Sequence, residues 1–332
     1  MSAQGSRYGR QQLVKQFGEQ SQAALQGACV LVIGAGGLGS PLCLFLAGAG
    51  VGSLILVDHD VVSLSNLHRQ ILFQEDDIGE LKVNAAKERL SALNSDIKID
   101  VLAQPLTSDN ASDLVKRATV VVDAADNFLV SYLLSDVCLV ARIPLVTASV
   151  LTTHGYLGVF CGTAKQTAPS LRAVFPSPSK TAGNCSTAGV TGPSVGVISS
   201  YQAQEVLKVI LDDENQLLGK LMYLDLWSYS QNIIDFSAAE EPARFAPIIS
   251  NNEVGLNDVL LDVRSEAEVA QSPSNKTALN IPDSELLENL NRLVGAHAIV
   301  CFCASGQRAL RSANLLISNG FANVSVISIS SL

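Results

Sequence analysis

Charge is scarce in this chain: charged residues make up 16% of its 332 positions, and none stands between Gln20 and Val57. Positive charge is scarcer still, with 22 lysines and arginines against 31 aspartates and glutamates and a net charge of −9. That balance excludes a nucleic-acid surface, which needs a basic stripe to neutralise phosphates, and argues against docking on anionic lipid. The seven cysteines are odd in number and scattered through apolar runs, so no disulfide framework is expected and a reducing compartment is. No Cys-x-x-Cys pair occurs anywhere, which excludes a tetrathiolate zinc built from two such pairs. The first twenty residues carry Arg7, Arg10 and Lys15 but lack the apolar core of a secretory signal, so a cytoplasmic protein is expected. The uncharged Gln20–Val57 stretch has the hydropathy of a membrane span, yet seven glycines from Gly34 to Gly52 break it. Strand, helix and strand buried in a parallel sheet account for it better, and no membrane association is expected.

What is present is an alternation. Strand-like runs at Ala28–Ile33, Ser53–Val57, Ile97–Leu102, Thr119–Asp123 and Leu145–Ser149 are separated by helical stretches. This is the pattern of an α/β fold with a Rossmann-like, doubly wound and mostly parallel sheet. Val83, Ala86, Leu90 and Leu93 form an apolar stripe at helical spacing, with Lys82 near its start and Asp76 or Asp77 as the expected cap. Tyr156–Cys161 reads as a further strand, and Gly162–Pro193, rich in Thr, Ser, Pro and Gly, as a long mobile loop of functional type. A helix over Ser194–Leu211 and a hairpin of Lys220–Leu226 with Asn232–Phe236 follow. Ser237–Pro247 reads as a linker, dividing the chain into 1–245 and 246–332. The second unit is a smaller α/β one: strand Val259–Val263, helix around Leu286–Leu293, strand Ala298–Phe302, helix Arg308–Ser318 and strand Val324–Ile329.

The first strand runs into Gly34-Ala-Gly36-Gly37-Leu-Gly39, a glycine turn that opens a helix. Without Cβ atoms such a turn lets backbone approach a phosphate, and the helix start supplies unpaired N–H groups. Asp58 closes the next strand about 20 residues on, where a carboxylate can hold ribose hydroxyls. Asn66, Arg69 and Lys82 add donors and positive charge on the scale of a polyphosphate; the pyrophosphate of NAD would need far less. Asp126, in Asp123-Ala-Ala-Asp126-Asn127, offers a hard oxygen for Mg²⁺. Singly, Asn66 and Asp126 are also turn formers, Arg69 a surface ion-pair residue and Lys82 a solvated helix residue. Jointly, at strand ends, they assemble a nucleoside triphosphate pocket, whose chemistry is mostly positioning and charge neutralisation. An NAD-dependent oxidoreductase is the alternative that the glycine turn alone favours, and it leaves Asn66, Arg69 and Lys82 without a role.

Several motifs stand in one order: Arg7-Tyr8-Gly9-Arg10-Gln11, the glycine turn, Asp58-His59-Asp60, Ser65-Asn66-Leu67-His68-Arg69-Gln70, Lys82, Asp126-Asn127 and Asn184-Cys185-Ser-Thr-Ala-Gly. Together they resemble the ThiF/MoeB/HesA family, adenylyltransferases related to ubiquitin-activating enzymes, over roughly the first three quarters of the chain. The resemblance implies binding of Mg·ATP and adenylylation of the C-terminal glycine of a small ubiquitin-like sulfur carrier. It implies Gly34, Gly36, Gly37 and Gly39 behind the nucleotide and Asp58 on the ribose. Ser65, Asn66, Leu67, His68, Arg69 and Lys82 would surround the phosphates, and Asp126, with Asn127 beside it, the metal. Arg10 resembles an arginine that reaches across a homodimer toward the partner's ATP, and Cys185 a cysteine that engages the carrier or its sulfur. Most such relatives also hold a structural zinc with two Cys-x-x-Cys pairs. Here Ser170 and Ala173 stand where the first pair belongs and Ala239–Ala246 has no cysteine. No zinc is expected, and packing alone is expected to hold the segment.

Cys303-Ala-Ser-Gly306-Gln-Arg308 lies between a buried strand and a helix. A six-residue loop there can aim several N–H groups at the Cys303 sulfur, and the helix start and Arg308 favour a thiolate or persulfide. Cys301 is expected on the Cys303 side of the pleat, opposite Phe302, while Cys29, Cys43 and Cys138 read as buried, idle thiols. This loop, Leu260-Leu-Asp262-Val-Arg264 and Asn280-Ile-Pro282 resemble a rhodanese domain. The resemblance implies Cys303 as persulfide carrier, supported by Arg308, Asp262 and Arg264. Gln271–Lys276 replaces the usual histidine-glycine stretch, and the family's closing Gly-Gly segment has no counterpart before Leu332, so a C-terminally shortened domain is expected. The combined expectation is carboxylate activation joined to sulfur transfer, making a thiocarboxylate for thiamine, molybdopterin or a related pathway. A scaffold that binds a ubiquitin-like protein without chemistry is the non-enzymatic alternative.

Overall fold

The computed structural model describes residues 7–178, 189–274 and 277–328. Two short helices, α1 (Gly9–Gln12) and α2 (Glu19–Gly27), precede β1 (Cys29–Ile33). The chain continues through α3 (Gly39–Ala49), β2 (Ser53–Val57), α4 (Lys82–Leu93), β3 (Lys98–Leu102), α5 (Ser108–Val115), β4 (Val120–Asp123) and α6 (Phe128–Ala141). It then runs through β5 (Leu145–Leu151), β6 (His154–Phe160), α7 (Leu171–Val174), α8 (Gly192–Ile210), β7 (Lys220–Asp225) and β8 (Ser230–Asp235). These strands form one eight-stranded sheet in the order β3-β2-β1-β4-β5-β6-β7-β8. β3 to β5 pair in parallel, and β6, β7 and β8 are added antiparallel. The strand order reverses between β1 and β4, which is where open α/β sheets form a ligand crevice at their carboxyl ends.

The central strands are legible as apolar runs because both faces are covered. Val30 and Val32 of β1 pack into the core beneath α3, α4 and α8. Leu31 and Ile33 point the other way, into a core shared by α5, α6 and the second sheet. That second sheet is built from β9 (Val259–Asp262), β10 (Leu279–Asn280), β11 (Ile299–Phe302) and β12 (Val324–Val326), all parallel, in the order β10-β9-β11-β12. Helices α9 (Glu266–Gln271) and α10 (Gln307–Ser318) complete it. The apolar helix α6 lies between the two sheets, which explains why its sequence lacks a broad polar face. No described helix is long and apolar enough to cross a membrane, and the uncharged Gln20–Val57 stretch is divided among α2, β1, α3 and β2.

Several expectations are corrected. Neither Asp76 nor Asp77 caps α4: both belong to a 3-10 turn, Glu75–Asp77, and the α4 N-cap is Leu81, without a side-chain bond. Asp77 instead accepts the Gln74 N–H at 2.7 Å and a forked pair from Arg89. Leu93, at the end of the apolar stripe, is exposed. The Gly162–Pro193 stretch contains α7 and the first two residues of α8, with residues 179–188 outside the described set. Leu286–Leu293 is 3-10 rather than α, interrupted at Asn289. The Ser170–Ala173 segment is not held by packing alone: Ser170 bonds to Glu241, and Arg172 pairs with Asp136 of α6.

Candidate functional site

Gly34 leaves β1 with a φ of +98°, and a Cβ there would lie 2.7 Å from the Ala124 carbonyl oxygen at the end of β4. A Cβ on Gly39 would stand 1.9 Å from the Gly34 oxygen, so α3 begins directly against the turn. Gly36 meets only the Gln70 amide, 3.8 Å off, which leaves its face open. Cβ atoms on Gly34 and Gly39 would strike backbone, so only glycine fits those two positions, at the crevice end of the sheet. The Asp58 carboxylate accepts the Ala35 N–H at 2.7 Å and the Asp60 N–H at 2.8 Å, fixing its orientation beside the turn.

The Ser65–Gln70 segment folds back over the turn. The Asn66 carbonyl accepts the N–H groups of Arg69 and Gln70. Arg69 donates from Nη1 to the Ser65 oxygen at 3.1 Å, and its stem passes 3.6 Å from the position of a Gly37 Cβ. A Cβ on Gly192 would lie 2.3 Å from the His68 oxygen, so the start of α8 abuts this segment. Thr191 caps α8 by accepting the Ser194 N–H. Two helix N-termini, those of α3 and α8, therefore converge on the glycine turn and reinforce its preference for anions.

Lys82 is the first residue of α4, is 4% exposed, and donates to Asp60 Oδ2 at 2.8 Å. It is a buried ammonium, not a solvated helix residue. Asp126 is exposed just past β4, while Asn127 accepts the Leu129 N–H as the N-cap of α6. Asp123 is buried, and burial pushes its carboxyl up to about 6, against the pull of bonds from Ser131 and the Ala125 N–H. The structure thus gathers Gly34–Gly39, Asp58, Ser65–Arg69 and Lys82, with Asp126 on the adjoining strand end. Arg10 is exposed on α1, and Cys185 lies outside the described residues. Sequence reading gave no role to Asp60, the partner of Lys82, or to the start of α8.

In the second unit β11 ends at Phe302 and α10 starts at Gln307, leaving only residues 303–306 between them, not a six-residue loop. Cys303 is fully buried, and its Sγ accepts the Ala309 N–H at 3.4 Å. Cys301 shares its core while Phe302 faces another, as the pleat requires. Arg308 is held in a fork by Glu268, at 2.7 and 2.6 Å, and this pairing drops the Glu268 carboxyl to about 2. Asp262 and Arg264 are buried and satisfy each other at 2.6 Å, bracing the end of β9. Glu268 was missed, although Ser265-x-x-Glu268 is a readable capping box. The loop rests on the first sheet's own helix: a Cβ on Gly306 would lie 2.7 Å from the Leu129 side chain of α6.

Comparison with known proteins agrees with this geometry. The sequence pattern of the ThiF family matches residues 8–244, and that of the rhodanese-like domain matches residues 247–330. The adenylyltransferase and sulfurtransferase MOCS3 of Culex quinquefasciatus is 43% identical over 222 residues, 66% of this chain and 50% of that protein. MOCS3-2 of Zea mays is 33% identical over 370 residues, covering 96% of this chain and 76% of the relative. The chain spans about half the length of the insect relatives it matches. Escherichia coli MccB, crystallised with ATP, shares the fold with a TM-score of 0.63 at 23% identity, over 71% of this chain and 73% of MccB. With the glycine turn, the Ser65–Arg69 segment and Lys82 brought together within the matched region, the chain belongs to the ThiF family.

Proposed function

We propose that this protein is an ATP-dependent adenylyltransferase that activates the C-terminal glycine of a ubiquitin-like sulfur carrier, joined to a sulfur-transferring unit that works through Cys303. The observation that carries the reading is Lys82, a buried ammonium beside a glycine turn flanked by two helix N-termini. A polyphosphate fits that set: Gly36 leaves an open face where a Cβ would project, and Arg69 and Lys82 supply fixed positive charge. Asp58 is oriented for ribose hydroxyls, with Asn66, Leu67 and His68 lining the approach. Bound magnesium would offset charge on the departing pyrophosphate, and Asp126, with Asn127 shaping its turn, is the residue that would hold it. The carrier's terminal carboxylate oxygen bonds to the α-phosphorus as the bond to the β-phosphate oxygen breaks. The chain's own contribution is alignment of the two reactants and fixed charge around the phosphates.

The reading extends to the assembly and the sulfur. Exposed Arg10 would complete the partner's phosphate site in a homodimer, and Cys185 would meet the activated carrier. Cys303, beneath the start of α10, would carry persulfide sulfur, with Arg308 held for it by Glu268. The product would be a thiocarboxylate for thiamine, molybdenum-cofactor or related synthesis. The direct experiment is incubation with candidate carriers and Mg·ATP, weighing the carriers by mass spectrometry. An added AMP, with carrier-dependent ATP–pyrophosphate exchange, is the expected result; NADH binding with no exchange under any carrier would refute it.

A further inference from the structure

The family resemblance carries a structural zinc with it, and the residues at that place do not suit the metal. Where a thiolate would stand, the Ser170 hydroxyl donates to one Glu241 oxygen and the Ser170 N–H to the other, both at 2.6 Å. Ala173 has no ligand atom at all. Between them, Arg172 is 2% exposed and places a guanidinium where α7, α6 and the segment joining the two sheets meet. Its Nε and Nη2 form a fork to both oxygens of Asp136, at 2.6 and 2.8 Å. Nη2 also reaches the Ala246 carbonyl at 3.3 Å, and the guanidinium carbon lies 4.3 Å from the Phe245 ring centre and 5.1 Å from that of Tyr132.

We infer that Arg172 is the metal's replacement: a cation supplied by the chain that cross-links the joining segment to α6. The chemistry is suited to it. A guanidinium is weakly hydrated for an ion, matches a carboxylate with two parallel bonds and stacks on aromatic faces, so burial costs it less than it would an ammonium. One charge thereby ties three segments, much as one zinc ties two ligand pairs. The consequence reaches the sulfur loop. Past Ala246 the joining segment pairs with β12, where Ile248 bridges Val326. Asn314 of α10 donates to the Pro176 oxygen just beyond α7 at 2.7 Å. Fastening Phe245 and Ala246 to α6 therefore helps to set how the second sheet sits against Leu129, without any metal.

The test uses the full chain. Wild type, Arg172→Met, Arg172→Lys and Phe245→Leu are compared by metal analysis, thermal unfolding with and without a strong zinc chelator, and limited proteolysis of the joining segment. The expected result is no stoichiometric zinc and an unfolding midpoint that the chelator leaves unmoved. Arg172→Met should be cut in the joining segment roughly tenfold faster than wild type. Arg172→Lys, which keeps the charge but loses the fork and the stacking, should fall between them. Phe245→Leu alters a half-exposed ring and leaves the buried pair in place, so it gives a smaller acceleration even if Arg172→Met fails to fold. Stoichiometric zinc whose removal lowers the midpoint overturns the inference, as does wild-type cleavage in Phe245→Leu together with any folded Arg172 variant.

Discussion

Lys82 Nζ lies 2.8 Å from Asp60 Oδ2, with the lysine side chain 5% exposed and the aspartate 57%. The asymmetry matters. Asp60 can lose its partner and remain hydrated, whereas Lys82 without Asp60 keeps a charge that has given up most of its water. Asp60→Asn is therefore expected to lower the free energy of unfolding by about 2 kcal/mol, a figure reduced from that of a fully buried pair because Asp60 is open to solvent. Lys82→Met should instead lower ATP–pyrophosphate exchange by roughly a hundredfold while keeping most of the stability. Urea denaturation beside the exchange assay separates the two, and unchanged exchange in Lys82→Met would remove the lysine from the phosphate site.

Arg69 is the second cation. Its one described side-chain bond to the backbone, to the Ser65 oxygen, is at the surface and contributes little to folding. Arg69→Ala is accordingly expected to depress exchange by roughly a hundredfold with stability within about 1 kcal/mol of wild type. Near-normal exchange rates in this variant would show that the arginine shapes the turn and nothing more.

Much of this was legible because it is local. The runs that became β1, β2 and β4 read directly as buried strands, and the glycine turn, Asp58 and the Ser65–Arg69 segment follow from strand ends. What stayed hidden depends on which distant residues meet. Asp77 looked like a cap for α4, but Gln74 and Asp77 close their own turn and Arg89 takes the remaining carboxylate capacity. The chain then enters α4 from a bridge between Val61 and Leu81. β10 is two residues long, too short for any periodicity. The burial of Lys82 arises only once the start of α4 meets Asp60, and the meetings of Ser170 with Glu241 and of Arg172 with Asp136 only once α6, α7 and the joining segment are packed.

Asp123 gives the protein a pH dependence of known sign. Burial raises its carboxyl from 3.8 to about 6, so the folded state binds this proton more tightly than the unfolded state. The stability it contributes is complete below about pH 4 and is lost as pH rises through 6, a loss of about 3 kcal/mol by pH 8. Asp123→Asn keeps the shape and an acceptor for the Ala125 N–H without the charge. The variant should be more stable than wild type at pH 8, and the gain should vanish near pH 4. Two stability curves running parallel from pH 4 to pH 8 would contradict the assignment.

Cys303 supplies the last test, because it is fully buried where Gly306 rests on Leu129. On the proposed reading a sulfur carrier must meet Cys303, which requires the loop to open, and opening is governed by the contacts that α6 makes with it. Leu129→Ala keeps the Cβ nearest Gly306 but removes the Cγ and Cδ1 atoms that extend the cover over it. Alkylation of Cys303 by iodoacetamide, followed on its own peptide by mass spectrometry, should then run roughly tenfold faster than in wild type. Buried Cys43, whose thiol is pushed up to about 12 by burial, reports global unfolding in the same sample and should stay unlabelled. Cys303→Ser should abolish sulfur transfer from thiosulfate to cyanide and leave ATP–pyrophosphate exchange unchanged, since Cys303 follows a strand of the second sheet and the glycine turn a strand of the first. Equal labelling of Cys303 in Leu129→Ala and wild type would mean that the loop opens without disturbing α6, and that the seat on Leu129 does not control access to the sulfur.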